Sequence, residues 1–447
     1  MRSFTSASLL DGSGLSLALA PGLTPAGLSE SPEFFSGFAV APTVLARGLL
    51  VLADVARTRY FQPVPAGGGG SDPICTANGD RLRFEAFSAC NTVAVRLDLL
   101  AGAFDGGDIR HGTTNVDINQ PLREALGGVS PAEPMHLSVG DGGLRVSTLE
   151  ATHVERRVEL PERWLRALGP AQELSRDLAL IGQTPAVQTR QLLASLASAP
   201  GGLGHWSVSR RGVRPALRPG RGTVYAENLG RLRAARRLGQ QITGLRVYGA
   251  GDGAEAASVW ELDLPHGRLT FTLTAEYHRS FSGEGALLPK LAARTAVEDA
   301  ETVAARLAFE PRIDVPALAA RTGLDEERVG QGLAVLAVDG RVGYDLFEGA
   351  YFHRELPSPP AGRAARVLRA NPRLKNARRL VDDGAVRPCE GHPGVYRVRG
   401  GRDGQDEYVV RTEPAGCSCR WWRRYGGARG ACKHLLAARL SQEALHD

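Results

Sequence analysis

Cys417, Cys419, Cys432 and His434 are the residues of this chain whose types and spacing are best suited to chemistry. They form a CxC and a CxH pair separated by twelve residues, RWWRRYGGARGA. Three thiolates and one imidazole make a soft donor set that suits zinc in tetrahedral coordination. Four protein ligands leave no open position for water, which marks a structural site rather than a catalytic one. One structural Zn2+ is therefore the expected cofactor, and its binding would contribute directly to folding. The spacing also constrains the backbone. Two cysteines two apart on a flat strand share a face but sit roughly 6.6 Å apart along it. Residues two apart in a helix point about 200° away from each other. A turn between Cys417 and Cys419, and an irregular helix start at Cys432 and His434, are thus expected.

The twelve-residue spacer is read as a loop that closes the clasp. Arg420, Trp421, Trp422, Arg423, Arg424, Tyr425, Arg429 and Lys433 crowd around the ligands, and no acid occurs between Glu413 and Glu443. Aromatics interleaved with arginines stack bases and hold phosphates. DNA or RNA contact through Arg420, Trp421, Trp422, Arg423, Arg424, Arg429 and Lys433 is one reading. The other is that the tryptophans fill a core too small to close without them. The basic character is local. Residues 361–447 carry eighteen Lys/Arg and nine Asp/Glu, so the preceding 360 residues sum to –3 against a whole-chain charge of +6.

The elements that must hold this clasp form an α+β chain of several domains, since 447 residues exceed one ordinary core. Residues 1–65 are weakly patterned, apart from a helical stretch over 42–61. A glycine-rich break follows at 63–73. An α+β domain is expected over 81–200 and a β-rich domain over 203–290, both with short antiparallel strands. The stretch 229–239 suits a strand or a helix. Over 295–357 the pattern changes to three short helices and a hairpin turning at FEGA, a winged-helix-like layout. Its third helix opens with Asp325, Glu326 and Glu327, which argues for protein docking rather than DNA reading. Its acids suit a basic partner surface, such as the helix-like linker at 363–379. Residues 385–447 form the ββα metal module, and zinc is expected to stabilise that module only, since the upstream domains have enough chain to form their own cores.

Composition narrows the class. Hydrophobic residues at 43% and charged residues at 23% are globular values, and no apolar run reaches the length of a membrane span. Asp11 and neighbouring glycines interrupt the N-terminal apolar stretch, so a signal peptide is not expected. Six cysteines, four of them within 389–432, indicate metal usage in a reducing compartment. The expected location is cytoplasmic, with no membrane partner. Cys75, Cys90 and Cys389 are read as inert thiols. No phosphate-binding glycine loop and no HExxH occur. Asp117, in TTNVDIN, and Glu284, in FSGEG, are the most tempting carboxylates, but such residues commonly cap turns. Asp108/His111/Asp117 and His353/Glu355 are the other local acid–histidine groupings. The expectation is a non-enzymatic protein, with a metal-dependent nuclease assembled from distant acids as the outlying alternative.

The motif CSC…CKHLLAARL resembles a SWIM zinc finger, including the lysine between the last cysteine and the histidine, Lys433, and the preceding strand EYVVRT. On that resemblance Cys417, Cys419, Cys432 and His434 are the zinc ligands, and the module contacts DNA or proteins. HGTTNVDINQPLREAL, LPERWLRAL, YHRSFSGEGALL and GRVGYDLFEGAYFHRELP extend the resemblance, less specifically, to bacterial SWIM-containing proteins. Such proteins are often encoded beside a MoxR-like AAA+ ATPase and a von Willebrand A-domain protein. The resemblance implies those two as partners and an adaptor role as the alternative to nucleic-acid contact. It implies no oligomeric state.

Overall fold

The computed structural model describes residues 33–61, 73–140, 142–158, 162–196, 204–354, 356, 362–401 and 406–446. It also describes two small hairpins, Leu9–Asp11 with Gly14–Ser16 and Gly22–Thr24 with Gly27–Ser29. The expected glycine-rich break, apart from Pro73, and Glu355 lie outside the described residues.

The molecule is mixed α/β with antiparallel sheets, and its largest element is an eight-stranded one. Its strands are β1 (Ile74–Asn78), β2 (Arg81–Phe87), β3 (Val93–Leu100), β4 (His111–Asn115), β5 (Ala179–Pro185), β6 (Gly244–Gly249), β7 (Ser258–Leu264) and β8 (Gly267–Leu273). They lie in the order β4-β1-β2-β3-β8-β7-β6-β5. The strands of 74–115 and of 244–273 therefore join edge to edge, with Phe271 opposite Val95 at the seam between β8 and β3. Strand β5, from the first expected domain, pairs with β6 of the second, so the expected domains 81–200 and 203–290 share one sheet. A five-stranded sheet stands beside it, in the order 152–156, 143–147, 136–140, 33–39, 104–105. Helix α1 (Pro42–Arg57) accounts for the helical pattern at 42–61. Its first-turn proline has no amide to leave unpaired. Nearly every side chain of α1 is buried, because it packs against the sheet and against the segment Leu229–Leu238. Gly48 meets the sheet so closely that a Cβ there would lie 2.6 Å from Leu97 Cδ2. The segment 229–238, legible in sequence as either strand or helix, is a 3-10 helix. Helices α2 (Gln120–Gly128), α3 (Glu162–Arg176) and α4 (Ala186–Ser195) complete this first unit.

A second apolar core runs from Leu287 to Ala438. Helices α5 (Ala296–Ala304), α6 (Val315–Thr322) and α7 (Glu326–Val338) precede a hairpin of Val342–Asp345 with Ala350–His353. Local chemistry sets these boundaries. Asp314 and Asp325 accept from the amides of Ala317 and Arg328 at 2.9 and 2.8 Å, as N-caps do. Gly323, at φ 72°, ends α6 in the left-handed conformation. The basic linker is two helices, α8 (Arg363–Ala370) and α9 (Pro372–Asp382), split at a proline that cannot continue the first. The linker does dock on the preceding helices, through acids other than those at the start of α7. Arg363 and Arg366 bond Asp339 at 2.7 and 2.9 Å, and Arg363 also pairs with Glu301. Glu326 and Glu327 remain exposed.

The hairpin's tip is driven into the large sheet. Asp345 is 0% exposed and faces Arg83, Arg96, Arg268 and Arg81 at 2.9, 3.1, 3.1 and 3.5 Å. Asp98 supplies a second buried carboxylate, 2.8 Å from both Arg83 and Arg96. Phe352 lies under Arg83 at 3.9 Å and Phe347 under Arg268 at 4.2 Å, so the guanidinium faces are also covered. Arg354 pairs with Glu85, and Asn78 donates to the His353 carbonyl at 2.6 Å. Gly285 and Gly430 form another seam between the units. A Cβ on Gly430 would lie 2.4 Å from the Gly285 backbone, and one on Gly285 would lie 2.5 Å from the Arg429 carbonyl.

Candidate metal centre

The four ligand candidates come from three elements of a small module. Strands Val386–Pro388, Val395–Gly400, Asp406–Arg411 and Gly416–Cys417 form an antiparallel sheet. Helices α10 (Arg420–Tyr425) and α11 (Lys433–His446) follow. The expected loop between the two ligand pairs thus contains a helix. Cys417 ends the last strand, Cys419 is the N-cap of α10, Cys432 directly precedes α11, and His434 lies in its first turn. The chain turns between Cys417 and Cys419, which brings both sulfurs to one place. Cys432 stands just outside the helix, so the 200° separation expected within a helix does not apply.

All four side chains are buried, and their donor atoms lie within 4.8 Å of one another. Cys417 Sγ is 3.8 Å from His434 Nδ1. The edge of a zinc tetrahedron with one sulfur and one nitrogen is about 3.6 Å at the usual bond lengths. The donor set and its dimensions fit one tetrahedral metal ion. Backbone amides support two of the three sulfurs. Trp422 N donates to Cys419 Sγ and Leu435 N to Cys432 Sγ, both at 3.4 Å. Hydrogen bonds from Cys417 and Cys432, with others from His434 and Trp422, hold the Cys419 thiol below its ordinary range, whereas the bond to Cys419 pushes the Cys417 thiol up. At Cys432 the bond from Cys417 is outweighed by the effects of Cys419 and burial, which raise that thiol as well. His434 is fixed by Tyr408, whose ring stacks on it at 4.3 Å. Gly400 gives the imidazole room, since a Cβ there would lie 3.0 Å from Nε2.

The residues around the ligands divide into two groups. Arg420, Arg423 and Arg424 are exposed. Among the described residues none of the three takes part in an ion pair, and Arg424 lies over the Tyr425 ring at 5.3 Å. Arg429 turns inward, 2.8 Å from Glu276 and over Tyr425 at 4.1 Å. Trp421 and Trp422 are half-buried against the second core, and Arg373 lies over Trp421 at 5.1 Å. Both tryptophans thus touch the core and keep part of their surface exposed. Lys433 is half-buried. Arg373, which donates to the carbonyls of Arg429 and Ala431 at 2.6 and 3.2 Å, braces the clasp without any motif to announce it. Tyr408 had a weak signal, as an aromatic in the strand leading to the first ligand.

The carboxylates that tempted an enzymatic reading are dispersed. Glu284 is paired with Arg279 at 2.5 Å. Asn119, near Asp117, caps α2 by accepting from the Leu122 amide at 3.0 Å. His353 accepts from the Phe309 amide at 2.7 Å, and its burial lowers its pKa to about 3. Among the described residues, the Cys/His set is the one group of three or more ligating side chains placed to share an ion. No helix among them is long and apolar enough to cross a membrane.

No family model and no curated relative matches the chain. Solved structures similar to it include proliferating cellular nuclear antigen from Entamoeba histolytica, at 12% identity and TM-score 0.35, covering 54% of this chain and 98% of that one. Another is the PCNA2–PCNA3 complex from Sulfolobus tokodaii, at 11% identity and TM-score 0.38, covering 54% of this chain and 100% of that one. Likeness at this level fixes neither a fold family nor a partner.

Proposed function

We propose that the chain is a non-enzymatic, nucleic-acid-binding protein whose C-terminal module is closed by one structural zinc ion in a SWIM-type site. Cys417, Cys419, Cys432 and His434 Nδ1 would hold the ion, which supplies rigidity and neutralises the thiolates. The observation that carries the reading is the anchoring of α10. Its N-cap is a ligand, so the ion would fix the helix that presents Arg420, Arg423 and Arg424 to solvent. Three exposed guanidinium groups without carboxylate partners suit a phosphate backbone. The half-burial of the tryptophans and the inward turn of Arg429 reduce the surface open to base stacking. Contact without sequence preference follows, in the range of about 10⁻⁴–10⁻⁶ M at physiological salt.

The test is the triple variant Arg420→Gln, Arg423→Gln, Arg424→Gln, titrated with duplex DNA and with single-stranded RNA over a salt series. The slope of log K against log salt is expected to flatten by about 0.9 for each duplex phosphate contact removed. An unchanged slope on both nucleic acids would exclude α10 as the contact. Protein docking on the exposed Glu326 and Glu327 would then become the better reading, checked by charge reversal and recovery of native partners.

A further inference from the structure

We infer that a second site, far in sequence from the metal module, binds phosphate groups in an arginine-walled cavity on the helical side of the first unit. The cavity is an open concavity of about 590 Å³, lined by Arg47, Arg190, Arg236 and Arg237, with Leu193 and Gln240 among the remaining residues. The four arginines come from three separate elements, α1, α4 and the 3-10 segment 229–238. A solvated charged face would spread like charges apart, whereas packing here gathers them around one concavity.

The arginines are held in place mainly by neutral oxygens, which leave their charge uncompensated. Arg236 donates to the carbonyls of Leu193, Ala194 and Leu196 at 2.6, 3.0 and 2.5 Å. Arg190 donates to the Ile242 carbonyl at 3.3 Å, and Arg47 to Gln241 Oε1 at 3.2 Å. Arg237 alone of the four meets a carboxylate, Asp54 at 2.5 Å, and Arg123 shares that acid. Each arginine keeps N–H groups beyond those bonds, because a guanidinium has five. Anchored guanidinium groups lose less freedom on binding than loose ones and match phosphate oxygens in a fork. Arg233 is exposed three residues before Arg236. In a 3-10 helix residues three apart lie on one side, so the positive surface continues past the cavity.

Two carriers share the phosphate chemistry, a nucleic-acid backbone and a free polyphosphate. The test uses the full chain and the variant Arg47→Gln, Arg190→Gln, Arg237→Gln. Arg236 is left intact because it closes the end of α4. A Lys version of the same three positions serves as the charge-preserving control, and thermal melting verifies folding of both. Tripolyphosphate and a short duplex are titrated separately over a salt series. Loss of tripolyphosphate binding in the Gln variant together with a duplex slope reduced by about 0.9 per contact, both retained with Lys, supports the site with nucleic acid as its carrier. Loss of tripolyphosphate binding alone supports it with free polyphosphate. Unchanged binding of both probes in a folded Gln variant overturns the site. The Gln variant of Arg420, Arg423 and Arg424 should keep full tripolyphosphate binding here, so failure at α10 and failure at the cavity are distinguishable.

Discussion

Serine at Cys432, or removal of the metal by a chelator, is expected to reduce bound zinc from one equivalent to none and to loosen the chain from about residue 287 onward. Apparent binding free energies of structural zinc reach about 10–16 kcal/mol in small peptides at neutral pH, comparable to the total stability of a domain, about 5–15 kcal/mol. The extent of the damage follows from the second core. Cys417, Cys419 and Cys432 belong to the same apolar cluster as Leu333, Val335 and Leu374. Without the ion, three crowded sulfurs remain in the floor that the linker helices and α7 share. Limited proteolysis of the chelated protein should therefore cut within 287–438 and spare the eight-stranded sheet. Cleavage confined to residues after 385 would show that the shared core survives by itself. Full zinc occupancy in C432S would exclude the ligand assignment.

Asp345→Ala is expected to cost about 3–5 kcal/mol, the range for breaking a buried ion pair by removing one partner. Four guanidinium groups would then share Asp98 as their remaining fully buried carboxylate. Chemical denaturation of the wild type and the variant measures the difference, and a loss below 1 kcal/mol would show that the sheet repacks around the gap. The effect also has a sign in pH. Burial opposes ionisation of Asp345, but Arg96, Arg83 and Arg268 outweigh it and hold the carboxyl well below the usual carboxylate range. A depressed folded pKa contributes stability that is fully present above the unfolded value, about 3.9, and is lost as pH falls below it. The stability gap between wild type and Asp345→Asn should thus be constant from pH 7 to 5 and shrink below about pH 4. A gap that instead widened in acid would contradict an ionised Asp345.

Much of the metal site was legible because short-range spacing determines it. CxC and CxH bring ligands together within a few residues, and Asp325 before α7 and Gly323 after α6 are signals of the same short range. What escaped was non-local. Arg81 and Arg83, two apart on a strand, had to share a face, yet nothing nearby indicated that an acid more than two hundred residues later would meet them. The seam between β3 and β8 was hidden for the same reason, since edge pairing depends on tertiary position rather than on either strand's pattern. Helix α10 was missed because arginines and tryptophans gave no clear apolar stripe, and its start is set by a cysteine acting as N-cap.

The close approach of Gly285 and Gly430 has a consequence for how this sequence can vary. Neither position tolerates a side chain while the other keeps its place, and Gly430 also sits at φ 72°. A transplant of residues 385–446 onto another scaffold would carry the ligands and both helices but leave behind half of the seat on which the clasp rests. The two distant glycines are therefore under one shared packing constraint, and a graft of the module succeeds only when the recipient offers bare backbone at the matching point.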